Sequence, residues 1–582
     1  MDKHLPENSE FLQCYSNPYF PPEYFTNLHD HIKSFNAYNH LGARVKLPHS
    51  KINVSKFREY LPVDFDDIVV LQYLEFGFPL GLVEDFVLVP NLRNHSSSYE
   101  YFSFVDKFVM KELKSAGITG PFFSSPFQSI MISPMMTAPK KPASRRTVFD
   151  ASFGDFSLNL NTPEKIYVGE EYLFMFPKLD DFSRLIVSLG KGCFLWKRDL
   201  SRFFLQLPLD PYDYDKVGFV WRGNLYHFTS FVWGCRHAGM SGQRVSNCVS
   251  EIHRSLGRRI HGQSFNILNY SDDYAGCQDS FELAMLSFTS LSSLLLELGL
   301  EESSDKAVSP STTMLYLGVE YDTVKMEMRI GQEKCKELRL ELKTWYRRTV
   351  ATKQELQSIL GKLMWVSRAV RHSRAFINRI IAEIKQLTAQ KQKITLSSDI
   401  RKDLLWWLKF MDTFNGIELI IPDEISVNIA GDACPMGLGA WNLESQEYFS
   451  SMFPLHLQDP QIPIHVKEFI CIIISVKVWG PKWEGKRVKI YCDNDAVVDV
   501  ITYNKPKDVK MQSLLREFLY YVCAFNFSPV ASKIGTKENL IADFLSRNFN
   551  PDDAMSFFKK QGLCSLNLIP LHDSLFELKA DW

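Results

Sequence analysis

Between residues 101 and 325, short apolar runs punctuated by Pro and Gly alternate with helical stretches such as 281 to 299, a pattern that predicts an α+β unit. One run, FNILNYSDDYAGC at 265 to 277, is apolar, then doubly acidic, then apolar again, and predicts a hairpin with Asp272 and Asp273 at its tip. From 326 to 422 the texture becomes helical. Thr352 and Glu355 form a capping box, followed at helical spacing by Leu356, Ile359, Leu360, Leu363, Val366 and Val370. The basic residues Lys362, Arg368, Arg371, Arg374 and Arg379 largely fill the remaining positions, while Trp406 and Trp407, on a further helix, read as packing residues. After Pro422 strands return: VNIAGDA at 427 to 433, GLGAWN, an apolar helix around 465 to 479 and VKIYCDN at 488 to 494 predict a second α/β unit over 423 to 550. Residues 1 to 100 read as an N-terminal extension with short helices, and 551 to 582 as a C-terminal tail.

A chain of 582 residues predicts several packed domains. With 45% hydrophobic and 23% charged residues it is neither disordered nor of low complexity. No run of about 18 apolar residues exists and the N-terminus MDKHLPENSE is polar, so no membrane span or signal peptide is expected, and the protein is placed inside the cell, in cytoplasm or nucleus. The eleven cysteines never form CxxC, which argues against a zinc ribbon, a zinc knuckle or a disulfide framework. The net charge of −1 conceals a segregation: residues 331 to 409 carry 18 Lys/Arg against 7 Asp/Glu, a net of +11 that leaves −12 elsewhere. A basic module suited to a phosphate backbone thus sits in an acidic protein whose carboxylates are candidates for metal sites.

Two adjacent carboxylates at a strand turn repel unless a cation sits between them, so Asp272 and Asp273 form a candidate divalent-metal site. Asp199, in CFLWKRDLSRFFLQLPL, interrupts an apolar strand-like stretch and needs a partner if buried. These residues occur in a telling order: Asp199, Phe204 five residues later, FVWGCRHAGMSGQ (231 to 243), YSDD (270 to 273), then Lys306 and LYLG (315 to 318). The series resembles the palm motifs of reverse transcriptases. Upstream, SPMMTAPKKPASRRTVFDASFGDFSLN (133 to 159) is similar to the fingers segment, and implies that Lys140 or Lys141 and Arg146 grip an incoming triphosphate. The resemblance further implies that Asp199, Asp272 and Asp273 bind two Mg²⁺ ions about 4 Å apart. It also implies that Phe204 blocks a ribose 2′-hydroxyl and that Gly234 lets backbone approach the template and nucleotide. GPFFSSPF (120 to 127), SILGKLMWVSRAV (358 to 370) and DLLWWLKFM (403 to 411) resemble the enzymes of DIRS-like, tyrosine-recombinase retrotransposons. Val232 and Trp233 replace the family's Leu-Pro, Ala238-Gly239 replaces its Ala- or Ser-Pro, and Tyr274 is bulkier than the usual aliphatic residue.

A second set of acids is spaced by 36, 25 and 50 residues: Asp432, Glu468, Asp493 and Asp543. Asp432 ends an apolar strand, Glu468 lies on an apolar helix and Asp493 follows a strand, so each needs compensation that a shared metal would supply. The pattern resembles ribonuclease H, implying two Mg²⁺ ions and hydrolysis of an RNA phosphate. Asn494 and Asn539 are candidate supporting residues, and Lys533 stands where relatives carry a His.

The combined expectation is an α+β right-hand polymerase with fingers, palm and thumb, followed by a helical connection and an α/β ribonuclease H-like domain. Its expected partners are an RNA template, a DNA or RNA primer, the RNA–DNA hybrid and dNTPs, with Mg²⁺ or Mn²⁺ as cofactor. A separately encoded tyrosine recombinase would complete a DIRS-like element. A long-terminal-repeat element or pararetrovirus, an RNA-dependent RNA polymerase, and a catalytically silent, domesticated nucleic-acid-binding protein are the competing readings.

Overall fold

The computed structural model describes residues 50–578 apart from 84–87, 89, 91–92, 142–143, 173–175, 371, 415, 505, 507–508 and 564–565. Arg371, Cys14, Cys564 and the first half of the expected N-terminal extension lie outside the described residues. The chain divides into two compact units. The first contains the residues up to Lys178 together with Phe194–Ser311, and the second contains Leu179–Cys193 together with the residues from Thr312 onward.

In the first unit, strands β1 (Met135–Lys141) and β2 (Ser144–Phe149) form a hairpin. A four-stranded antiparallel sheet is built from β3 (Phe194–Asp199), β4 (Ile267–Tyr270), β5 (Asp273–Gln278) and β6 (Val308–Ser311), in the order β6–β3–β5–β4. The hairpin predicted for 265 to 277 is therefore present as β4 and β5. Gly276 on β5 faces Trp196 on β3, and a Cβ there would fall 2.0 Å from the indole, so only glycine lets the tryptophan lie flat in the sheet's core. Helix α1 (Ala238–His261) buries Val245, Val249 and Ile252, and α2 (Phe281–Glu297) adds Leu291, Leu294 and Leu295. Each such side chain contributes about 1.5–3 kcal/mol when fully buried. Ile52, Val54, Phe57, Val70, Leu74 and Phe78 join the same core, and Asp67 takes two hydrogen bonds of 2.6 Å from Arg244 on α1. Residues 50–80 are thus integral to this unit.

In the second unit, the Leu179–Leu189 helix buries Phe182 and Ile186. The Phe182 ring lies 5.0 Å from Tyr316 and 5.1 Å from Tyr321, both on an antiparallel sheet formed by Thr313–Tyr316, Val319–Asp322, Glu327–Arg329 and Ile417–Leu419. Helix α3 (Lys353–Val366) opens on the predicted capping box: Glu355 N–H donates to Thr352 Oγ1 at 3.3 Å, and Thr352 N–H donates to Glu355 Oε2 at 2.8 Å. On α4 (Ser398–Thr413) Trp406 and Trp407 are fully buried, the first stacked 3.6 Å from Phe376 and the second donating from Nε1 to the Phe376 carbonyl at 3.0 Å. The basic character of this region is only partly a solvated face. Arg379 turns inward toward the buried Asp403, whereas Lys362 pairs with Glu341 at 2.6 Å and Arg368 and Arg374 are exposed.

The remainder of this unit is a six-stranded mixed sheet of β7 (Val427–Ala433), β8 (Gly437–Asn442), β9 (Glu447–Met452), β10 (Arg487–Cys492), β11 (Ser528–Lys533) and β12 (Asn567–Leu568). Its order is β11–β10–β7–β8–β9–β12, with β7–β10, β10–β11 and β9–β12 parallel. Helix α5 (Ile464–Trp479) runs through the core, every residue from Val466 to Val476 being buried. Asp403 reaches Arg516 on α6 (Val509–Ala524), tying the helical region to this sheet's helices through a buried ion pair. Helix α7 (Leu540–Arg547) lies against β7 and β8. The segment read from the sequence as a tail supplies α8 (Pro551–Lys560), whose Ala554 and Phe558 pack with Tyr448, and the edge strand β12. Among the described residues no helix is long and apolar enough to cross a membrane.

Two candidate carboxylate sites

The first site follows from strand register. Asp199, the last residue of β3, pairs directly with Asp273, the first of β5, and Asp272 occupies the intervening turn. Helix α1 holds the turn: Gln243 Oε1 accepts from Ser271 N–H at 2.8 Å, and Ser246 Oγ donates to the Ser271 carbonyl at 2.6 Å. Ser271 itself has φ 53°, the left-handed conformation a tight two-residue turn demands. Leu200 N–H donates to the Asp272 carbonyl at 2.9 Å, locking the tip onto the end of β3. Burial, followed by the adjacent Asp199, pushes the Asp273 carboxyl up to about 6, with Lys197 opposing; burial and the charge of Asp199 likewise raise Asp272.

Two lysines answer this concentration of charge. Lys306 Nζ lies 2.7 Å from Asp199 Oδ1, and Lys197 Nζ lies 2.8 Å from Asp273 Oδ1. Each is a cation standing against a carboxylate oxygen, as a divalent metal would. Lys306 was singled out in the sequence only by its order, and Lys197 was not singled out. The signal for Lys197 was nevertheless available, since it lies two residues before Asp199 and so shares its face of the strand.

The remaining residues of the first set are placed as follows. Lys140 and Arg146 are exposed on the β1–β2 hairpin, and Lys141 lies in β1. Neither Lys140 nor Arg146 hydrogen-bonds or ion-pairs with the three aspartates. The neighbouring Arg145 is occupied, donating from Nε to Thr137 Oγ1 at 2.9 Å and stacking 3.8 Å over Tyr101. Phe204 is half-buried on a short helical turn, its ring 5.3 Å from Phe203; a Cβ on Gly242 of α1 would meet its edge at 2.9 Å. Gly234 has φ +97°, and Asn159 Nδ2 donates to its carbonyl at 2.7 Å.

The second site is assembled from β7, β10, α5 and α7. Parallel pairing of β7 with β10 carries Asp432 near the end of one strand and Asp493 just beyond the end of its neighbour. Glu468 approaches from α5 and Asp543 from α7. The approach of α7 depends on Gly439, paired with Asp432 in β8: a Cβ there would lie 2.4 Å from Leu545 backbone. Ser546 Oγ donates to Asp432 Oδ2 at 2.6 Å, a contact the sequence did not suggest because a serine within an amphipathic helix carries no distinctive pattern. Thr536 Oγ1 donates to Asp493 Oδ2 at 3.1 Å, and Arg547 holds Asp543 Oδ1 at 2.8 Å.

Asp432 is pushed up to about 6, first by burial and then by Asp493 and Asp543, with the Ser546 hydroxyl opposing. Glu468 is only 4% exposed, its Oε2 has no hydrogen-bond partner, and burial followed by the charges of Asp432 and Asp493 pushes it up to about 9. An orphaned buried carboxylate oxygen facing other acids is the environment a divalent cation would relieve. Asn539 Nδ2 donates to the Gly431 carbonyl at 3.3 Å and so ties the start of α7 to β7. Asn494 is a helix cap instead, accepting from Ala496 N–H at 3.0 Å. Lys533 forms an ion pair with Asp495 at 2.5 Å.

No protein-family model matches the chain, and no curated protein matches its sequence. Among solved structures it is similar to foamy viral protease-reverse transcriptase. For the dRH form in complex with ds DNA the identity is 16% and the TM-score 0.45, over 84% of this chain and 82% of that one. For the complex with dsDNA the values are 15% and 0.45, over 84% and 98%. For the complex with RNA/DNA hybrid they are 15% and 0.44, over 84% and 63%. With TM-scores below 0.5, the function proposed below rests on the carboxylate geometry and the sequence motifs.

Proposed function

We propose that this chain is an RNA-directed DNA polymerase with ribonuclease H activity, copying retroelement RNA into DNA in the first unit and cleaving the RNA of the hybrid in the second. The observation that carries this reading is the presence of two separate carboxylate clusters, each converging at strand ends. Asp199, Asp272 and Asp273 form one, and Asp432, Glu468, Asp493 and Asp543 the other. Their all-oxygen donor sets suit Mg²⁺ or Mn²⁺. When bound, such ions would activate an attacking oxygen and steady the departing one. In the first site Asp199, Asp272 and Asp273 would hold them, displacing Lys306 from Asp199 and Lys197 from Asp273. Arg146 with Lys140 or Lys141 would bind the triphosphate, Phe204 would exclude a 2′-hydroxyl, and Gly234 would admit the template. In the second site Ser546 fixes the orientation of Asp432, and Glu468, with its unpartnered Oε2, would hold the cation together with Asp432, Asp493 and Asp543. Exposed Arg368 and Arg374 would follow the sugar-phosphate backbone in a salt-sensitive way. We place the chain with DIRS-like elements, whose integrating partner would be a tyrosine recombinase.

The test is primer extension on a labelled RNA template with dNTPs and Mg²⁺, following DNA growth and RNA cleavage in one tube. Extension with cleavage supports both sites. Hybrid binding with neither reaction would overturn the reading in favour of a silent nucleic-acid binder.

A further inference from the structure

Cys492 closes β10 immediately before Asp493 and is 1% exposed. Its Sγ, a carboxylate oxygen of Glu468 and one of Asp493 all lie within 4.8 Å of one another. Sulfur is absent from the chemistry assigned above to this site, and a hard cation such as Mg²⁺ has little use for it. The other observation at this point is the unpartnered Oε2 of Glu468, an acid more than nine-tenths buried. We propose that Glu468, Cys492 and Asp493 form a site for a thiophilic divalent cation of the Zn²⁺ class, which on binding takes the catalytic carboxylates away from Mg²⁺ and blocks hybrid cleavage.

The geometry suits this ion. With Zn–S near 2.3 Å and Zn–O near 2.0–2.2 Å, ligand atoms around a tetrahedral centre are roughly 3.5 Å apart, so the three must draw together by about 1.3 Å at most. Water would supply the fourth position. The thiol proton and the carboxyl proton of Glu468 would both leave to solvent as the Zn–S and Zn–O bonds form, so the step needs no oxidant or reductant. Mg²⁺ would select the carboxylates of the same cavity and leave the sulfur alone, so two classes of cation compete for two shared ligands. The binding claim stands on these three residues; the blocking claim rests on the ribonuclease H reading.

The experiment uses the full chain. Co²⁺ is titrated in without nucleic acid while the near-ultraviolet thiolate-to-metal band is recorded for the wild type, Cys492→Ser and Cys471→Ser. Cys471 is a neighbouring buried thiol whose Sγ faces the Gly439 carbonyl at 3.5 Å, outside the three-residue cluster. The band is expected in the wild type and Cys471→Ser, lost in Cys492→Ser, and bleached by Zn²⁺. In Mg²⁺, Zn²⁺ should inhibit hybrid cleavage by the wild type at a concentration about tenfold lower or more than in Cys492→Ser. No band in the wild type, or an equal band in Cys492→Ser, would overturn the proposal. If Cys492→Ser misfolds by circular dichroism, Cys492→Ala makes the same comparison. A Cys492-dependent band in a chain that cleaves no hybrid in Mg²⁺ alone would leave the metal site standing and remove the nuclease reading.

Discussion

The two carboxylate sites face the same electrostatic problem and meet it differently. In the first, ammonium groups lie against the acids, Lys306 on Asp199 and Lys197 on Asp273. In the second, Glu468 has a bare buried oxygen and is pushed up to about 9, so at neutral pH it retains its proton. One site stores its neutrality as exchangeable side-chain cations and the other largely as a proton. Binding a divalent cation would therefore displace lysine in the first and release a proton in the second.

The largest effects should separate the sites altogether. Asp272→Asn should lower DNA synthesis by on the order of a thousandfold or more while leaving hybrid cleavage intact, and Asp432→Asn should do the converse. Equal loss of both activities in either variant would break the comparison. Next comes pH. Glu468 rises from an ordinary 4.5 to about 9 in the folded state, so between these values the folded chain binds a proton that the unfolded chain has lost. Stability should then fall as pH rises, by about 1.4 kcal/mol per unit from this group. Melting of the metal-free chain from pH 6 to 8 should show this decline, Glu468→Gln should flatten it, and a wild-type transition indifferent to pH would contradict the protonated state.

Some of this was legible in the residues and some was not. The capping box at Thr352 and Glu355, the buried pair Trp406 and Trp407, and the β4–β5 hairpin were written in local patterns of spacing and turn chemistry. The edge strand β12 was not, because two residues carry no periodicity and its only herald is Ala554 and Phe558 four positions apart on α8. Arg379 looked like a member of a basic face, yet the partner that turns it inward, Asp403, lies on another helix. The grouping of the seven acids followed from the apolar contexts of most of them and from the family resemblance, whereas the lysines and Ser546 that tune them depend on register and helix contact.

Smaller perturbations sharpen the contrast from one side. Phe204→Ala should raise ribonucleotide incorporation by about tenfold or more and leave hybrid cleavage unchanged, measured by extension with single rNTPs. Unaltered discrimination would return Phe204 to packing against Phe203 and Gly242. Lys197→Met should lower the Mg²⁺ concentration for half-maximal DNA synthesis by about two- to fivefold, the worth of a partly exposed ion pair. An unchanged Mg²⁺ requirement would mean that this lysine does not compete with metal.

The Leu179–Leu189 helix belongs to the second unit although the chain around it builds the first. Its Phe182 lies against Tyr316 and Tyr321, which the ribosome adds roughly 135 residues later, on the order of ten seconds at ordinary elongation rates. During that interval a nascent apolar helix waits without its cover and is a target for holding chaperones. A fragment ending before Thr312 would keep that face bare permanently, so truncations at the apparent end of the first unit should precipitate where the full chain does not.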